Sequence, residues 1–189
     1  MAGIISADAK SGFSHLLSDC LKESFQTTEK SVELHTINDH SVIDEEEFIM
    51  LTVSSYTFRI FTLIHFSENS QSKNFVSEAL KISPDSLEMG RYYDYLGEVG
   101  NTFCGAFKRE LGKYFPHLGM STPNRLVKGS LKHMRDMEFE YDAHFETEIQ
   151  DTASFYGSMY VSAYSELDFR IPVNSRLDDD VNTGALEMF

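Results

Sequence analysis

The chain has 189 residues, 41% hydrophobic and 24% charged, an ordinary globular composition with enough length for one sizeable core. Sixteen Lys and Arg against thirty Asp and Glu give a formal charge of −14 with no compensating basic tract, so nucleic acid and anionic membrane surfaces would be repelled. Two cysteines, Cys20 and Cys104, outside any Cys-x-x-Cys pair, argue against a disulfide framework and a thiolate metal site, and the absence of a long apolar run or a basic-then-apolar N-terminus points to a soluble, cytoplasmic protein.

In chain order, Phe13, Leu16, Leu17, Cys20, Leu21 and Phe25 recur at helical spacing and predict an amphipathic helix over 7–27. Val32, Leu34 and Thr36 alternate with polar residues as a short strand, and Asp44 to Glu47 reads as a solvated turn. The β-rich tract 48–66 exceeds one typical strand and divides into two antiparallel strands turning near Ser54-Ser55. Phe75, Ala79 and Leu80 suggest a short helix before Pro84. A long helix over 86–115 follows, capped by Asp85 or Ser86 and stopped by Pro116. Arg125-Leu-Val-Lys reads as a brief strand. Period-two alternation from Phe139 to Ile149 and again over 156–169, with Asp151-Thr-Ala-Ser between, predicts a closing hairpin. The sum is an α+β domain over 1–174, a mostly antiparallel sheet with two long helices packed on one face, and an acidic, mobile tail over 175–189.

The long helix organises the rest. At about 100° per residue, Asp94, Glu98, Asn101 and Gly105 fall in one narrow wedge, while Tyr92, Leu96, Val99, Phe103, Ala106, Phe107 and Tyr114 form the opposite, core-facing stripe. A carboxylate and a carboxamide are thus held outward on a rigid element fixed from behind. Gly97, Gly100, Gly105 and Gly112 each cost such a helix about 0.5–1 kcal/mol relative to alanine. Gly105 and Gly112 lie on the polar face and leave room for another backbone, either a partner's or that of a helix crossing within the protein or a dimer. Tyr93 and Tyr95 stand beside the motif, where aromatic surface can pad an interface.

Asp94, Glu98 and Asn101 match position for position the Asp/Ser-x-x-x-Glu-x-x-Asn signature helix of the CheX/CheC/FliY family of chemotaxis phosphatases, and the order of elements from about Ala7 to Asn174 resembles that family as well. With a single intact motif the chain looks most like CheX-type members. The resemblance implies a CheC-like fold with an internal pseudo-repeat relating the first helix to the signature helix. Asp19, Glu23 and Gln26 repeat the spacing on the first helix with Gln in the Asn position, a degenerate second copy whose carboxamide is displaced by one methylene.

The activity implied is hydrolysis of the aspartyl-phosphate on a CheY-like response-regulator receiver domain. Such chemistry depends on positioning and charge stabilisation more than on a strong base. By the resemblance, Asn101 orients the water, its carboxamide accepting from water and donating to a phosphoryl oxygen without adding negative charge. Glu98 pairs with the receiver lysine and fixes register. Asp94 contacts the partner or faces solvent. Mg²⁺ belongs to the receiver, so the chain needs no cofactor or metal of its own, and a homodimer through sheet edges is expected. The alternative is a non-catalytic receiver-binding or dimeric interaction module of the same fold. Other chemistry finds no support: the seven histidines lack ligand spacing, Ser121 and Ser158 lack a nucleophile-elbow context, and Asp44–Glu47 and Asp178–Asp180 lack a calcium-loop pattern.

Overall fold

Two long helices lie side by side across one face of an antiparallel sheet. The computed structural model describes residues 4–26, 30–134 and 137–172; the 175–189 tail expected above lies outside the described residues. Helix α1 (Ala7–Phe25) opens at Ser6, whose hydroxyl accepts the Ala9 amide at 3.1 Å, and buries Phe13, Leu16, Leu17, Cys20, Leu21 and Phe25 as its spacing predicts. Strands β1 (Val32–Ile37), β2 (Glu47–Ser54) and β3 (Phe58–Phe66) follow, then α2 (Ser70–Leu80) with a reciprocal Asn69/Ser72 cap, and α3 (Met89–Leu111). The chain closes with the short strands β4 (Gly119–Met120) and β5 (Asn124–Val127) and the hairpin β6 (Tyr141–Ile149) to β7 (Ala153–Ala163).

The strand order is β1-β6-β7-β3-β2-β4, with β5 also paired to β2, and every ladder is antiparallel. A pseudo-twofold relation runs between β3 and β7. Each half supplies a long helix (α1 or α3), a short outer strand (β1 or β5) and a hairpin (β2-β3 or β6-β7), and each outer strand pairs with the other half's hairpin. The main core lies between helices and sheet, where ten or more fully buried rings and leucines, among them Phe13, Phe58, Phe107 and Phe155, each contribute about 1.5–3 kcal/mol. A smaller cluster, Phe48, Phe61 and Leu63, lies on the other face beneath Leu131, Met134 and Phe139.

Four details differ from the sequence expectations. Pro84–Ser86 form a separate 3-10 turn and Leu87 is extended, so α3 starts at Met89 with Glu88 at its cap position and no side-chain cap. The helix ends at Leu111 with Gly112 as its cap, well before Pro116, because Tyr114 and Phe115 fold back to meet Phe169 at 5.0 and 5.2 Å between rings. Glu47, assigned to a solvated turn, is the first residue of β2. Strand β7 spans Ala153–Ala163, not 156–169: Asp151 turns with φ of 54°, and the later apolar residues leave the sheet. Leu167 bridges to Ile5, and Phe169 packs 4.9 Å from the Phe13 ring. Alternation persisted there because a strand and an extended strap over a core share the same period.

Candidate functional site

The face of α3 turned to the sheet is closed by Tyr92, Leu96, Val99, Phe103, Ala106, Phe107 and Leu111, all buried. Tyr92 is anchored further: its hydroxyl donates to Ser72 Oγ at 3.0 Å, and burial pushes its phenol up to about 12. Gly100 also faces the sheet. A Cβ there would stand 3.0 Å from Ile49 Cγ2, so the missing side chain lets α3 settle directly onto β2. Gly105 meets nothing within 4 Å, and Gly112 ends the helix; the close approach inside this chain is therefore at Gly100, not at the two polar-face glycines.

With its back fixed, α3 presents Asp94, Glu98 and Asn101 outward. All three are exposed, and none has a hydrogen-bond or ion-pair partner among the described residues. With Gly97 they form one wall of an open cleft of about 600 Å³ that Ile49, Phe66, Tyr93, Pro123 and Arg125 also line. Arg125 comes from β5, in register opposite Ile49, so its side chain lies on the helix side of the sheet. Its guanidinium carbon stands 3.6 Å from the Tyr93 ring centroid, and its Nε is 3.9 Å from Glu47 Oε1. The Tyr93 hydroxyl donates to Glu68. Tyr93 is thus a cleft wall, while Tyr95 turns toward Phe75, 5.9 Å away between rings.

Sequence reasoning placed the helical trio because i, i+4, i+7 spacing is local. It missed Arg125 and Pro123, which reach the trio only through the pairing of β5 with β2. The one usable signal was Pro123 beginning a new segment.

On α1, the corresponding residues have different surroundings. Glu23 receives Arg109 Nη2 from α3, at 3.2 Å to each carboxylate oxygen. Those hydrogen bonds, followed by the ones to Glu110, push the Arg109 guanidinium pKa further up. Asp19 lies 3.3 Å from His15 Nε2. Gln26 sits at the C-cap with ψ of 57°, off the helical path that carries Asn101. The Gln26 carboxamide therefore does not reproduce the Asn101 position.

Two other groups were candidates by residue type. Both thiols are buried, and desolvation pushes them up, Cys104 to about 11, which keeps them protonated and unreactive. On the sheet face away from the helices, Ser158 Oγ lies 2.9 Å from both His65 Nε2 and His144 Nδ1, and His144 Nε2 lies 2.8 Å from Asp142. The carboxylate sets the order: His144 Nε2–H donates to Asp142, Ser158 donates to His144 Nδ1, and His65 Nε2–H donates to Ser158. Ser158 is fully buried, so this chain of bonds holds β3, β7 and β6 together and offers no nucleophile to solvent. Among the described residues no group of three or more His, Cys, Asp or Glu could hold a metal ion, and no helix is long and apolar enough to cross a membrane.

The sequence matches no protein-family model and no curated protein. Solved structures do match. The chemotaxis protein CheX from Vibrio vulnificus superposes with a TM-score of 0.63 at 14% identity, covering 80% of this chain and 99% of that one. The fold is CheC-like. A CheC-like superfamily protein from Shewanella sp. PV-4 gives a TM-score of 0.61 at 15% identity over 80% of this chain and 97% of its own. A chain of the CheX–CheY–BeF3–Mg²⁺ complex from Borrelia burgdorferi gives 0.56 at 10% identity, over 80% of this chain and 96% of that one. The α+β architecture expected from the residues and the CheX/CheC resemblance agree with this CheC-like fold.

Proposed function

We propose that this chain is a phosphatase that hydrolyses the aspartyl-phosphate of a CheY-like receiver domain. The observation that carries the reading is the pair Glu98 and Asn101, exposed and unpartnered among the described residues, on the rigid centre of a helix in a CheC-like fold. A carboxylate and a carboxamide left without internal partners remain available to another molecule. In this reading Glu98 binds the receiver lysine beside the phosphorylated aspartate, and the same helical turn carries Asn101 to the phosphoryl group.

Asn101 then holds water in line with the scissile bond and donates to a phosphoryl oxygen. Water attacks phosphorus, the acyl oxygen leaves with the bonding pair, and inorganic phosphate and the free aspartate result. Mg²⁺ is carried by the receiver. Asp94 and the bare surface at Gly105 extend the docking face. The α1 copy is inactive in this reading, since Arg109 already occupies Glu23 and Gln26 lies at the helix end. A homodimer would use an outer strand such as β1, which among the described strands pairs only with β6.

The test is release of inorganic phosphate from a panel of phosphorylated receivers of the source organism, with and without the wild-type chain. Acceleration on at least one receiver is expected. Unchanged phosphate lifetimes across the panel would end the enzymatic reading, and a complex formed without acceleration would leave a receiver-binding module.

A further inference from the structure

We propose that Arg125 is a specificity-determining contact of the α3 cleft, binding an oxyanion of the docked receiver, either a surface carboxylate or the phosphoryl group itself. This inference rests on the receiver-docking reading above and adds a residue outside the Asp94/Glu98/Asn101 helix to it.

A chain of formal charge −14 that lines its cleft with Asp94 and Glu98 repels a phosphorylated carboxylate on approach. Arg125 is the cation among the cleft's lining residues. A single well-placed guanidinium offsets that repulsion locally, and it does so with a planar fork suited to carboxylate or phosphate oxygens.

Placement supports the same role. Arg125 is held at 3.6 Å on the Tyr93 ring, a cation-π stack that restrains its long side chain beside the helical trio. Its approach to Glu47 is long, 3.9 Å through Nε, and its guanidinium makes no hydrogen bond among the described residues, which leaves it available to another molecule.

The two halves of the fold make an internal comparison. The outer strand of the first half turns Val32, Leu34 and Thr36 toward the helices, as their pairing with Ile149, Thr147 and Phe145 requires. Its counterpart β5 turns Arg125 to that side, opposite Ile49. The cationic outer-strand position therefore accompanies the helix with the intact trio and is lacking beside the helix whose Glu23 is already paired.

The experiment measures binding of the receiver, both unactivated and activated with beryllofluoride and Mg²⁺, to wild type, Arg125→Ala, Arg125→Lys and Arg125→Glu, each at several salt concentrations. Arg125→Ala should weaken binding about tenfold at low salt, and its difference from wild type should shrink as salt rises. Arg125→Lys should recover part of the loss, and Arg125→Glu should weaken binding further. An equal loss for both receiver forms assigns the contact to a carboxylate, and a loss confined to the activated form assigns it to the phosphoryl group. Wild-type binding that Arg125→Ala leaves unchanged in affinity and salt dependence overturns the inference while the receiver-docking reading stands. Failure of wild type to bind any receiver overturns both.

Discussion

At the scale of single residues, Glu98 and Glu23 give the sharpest contrast. They occupy matching places on α3 and α1, yet one is unpartnered among the described residues and the other is held by two hydrogen bonds from Arg109. A carboxylate already paired inside its own chain must break that pair before it can bind a partner's cation, and the new contact returns little net energy. We therefore expect Glu98→Ala to raise KM for the phosphorylated receiver about tenfold, the scale of a lost charge-assisted contact at an interface. Glu23→Ala should leave both kinetic constants unchanged. Equal losses in the two variants, measured as phosphate release against receiver concentration, would contradict the assignment of the site to α3.

At the scale of elements, the helices are seated through glycine. Gly157 of β7 lies beneath α1, and a Cβ there would stand 2.3 Å from Leu21 Cδ1, in a fully buried contact. Gly157→Ala should destabilise the chain by about 1–3 kcal/mol, the usual cost of overpacking a core. Gly105 has open space around it in the middle of α3, so Gly105→Ala should stabilise by about 0.5–1 kcal/mol through helix propensity. Denaturant midpoints of the two variants should move in opposite directions. A stabilised Gly157→Ala would mean that α1 does not sit on β7 as described.

Legibility in the sequence divides at the same scale. The helical stripe of α3, the β2-β3 division and the alternation of β6 are local periodicities, and the structure reproduces them. Start and stop signals were weaker, since Pro84 nucleates its own 3-10 turn and Phe115 folds back onto Phe169 before Pro116 is reached. The glycines misled in detail because a helical wheel gives direction without saying what lies there. Gly100 needed Ile49 to explain it. Arg125 was invisible as a cleft residue because its place depends on strand register between β5 and β2, which one sequence does not encode locally.

At the scale of the whole molecule, the exchange of outer strands ties the halves together, and the buried His65–Ser158–His144 bonds link β3 and β7 at the centre of the sheet with β6. Burial, followed by the neighbouring His144 and Lys128, lowers the His65 pKa to about 3. The group's ordinary value is 6.5, so between these limits the unfolded chain binds a proton that the folded chain does not. Stability from this group is fully present above 6.5 and is lost as pH falls toward 3, by about 1.4 kcal/mol per pH unit. His144 is lowered as well, chiefly by burial, and acts in the same sense. Because loss of carboxylate charge changes stability too, the measurement is the difference between wild type and His65→Gln in urea midpoints. The wild type's advantage should shrink from pH 6.5 to pH 4, and a difference independent of pH would contradict a buried neutral His65.

The central claim is that Asn101 supplies chemistry while its neighbours supply docking. The most direct measurement takes one phosphorylated receiver and compares wild type with Asn101→Ala in two readouts, affinity for the beryllofluoride-activated form and turnover at saturating receiver. Affinity should stay within about threefold of wild type while turnover falls by about 10²-fold or more, the range for removing a group that acts in the transition state. Turnover retained by Asn101→Ala would contradict the claim, as would a loss explained entirely by weaker binding.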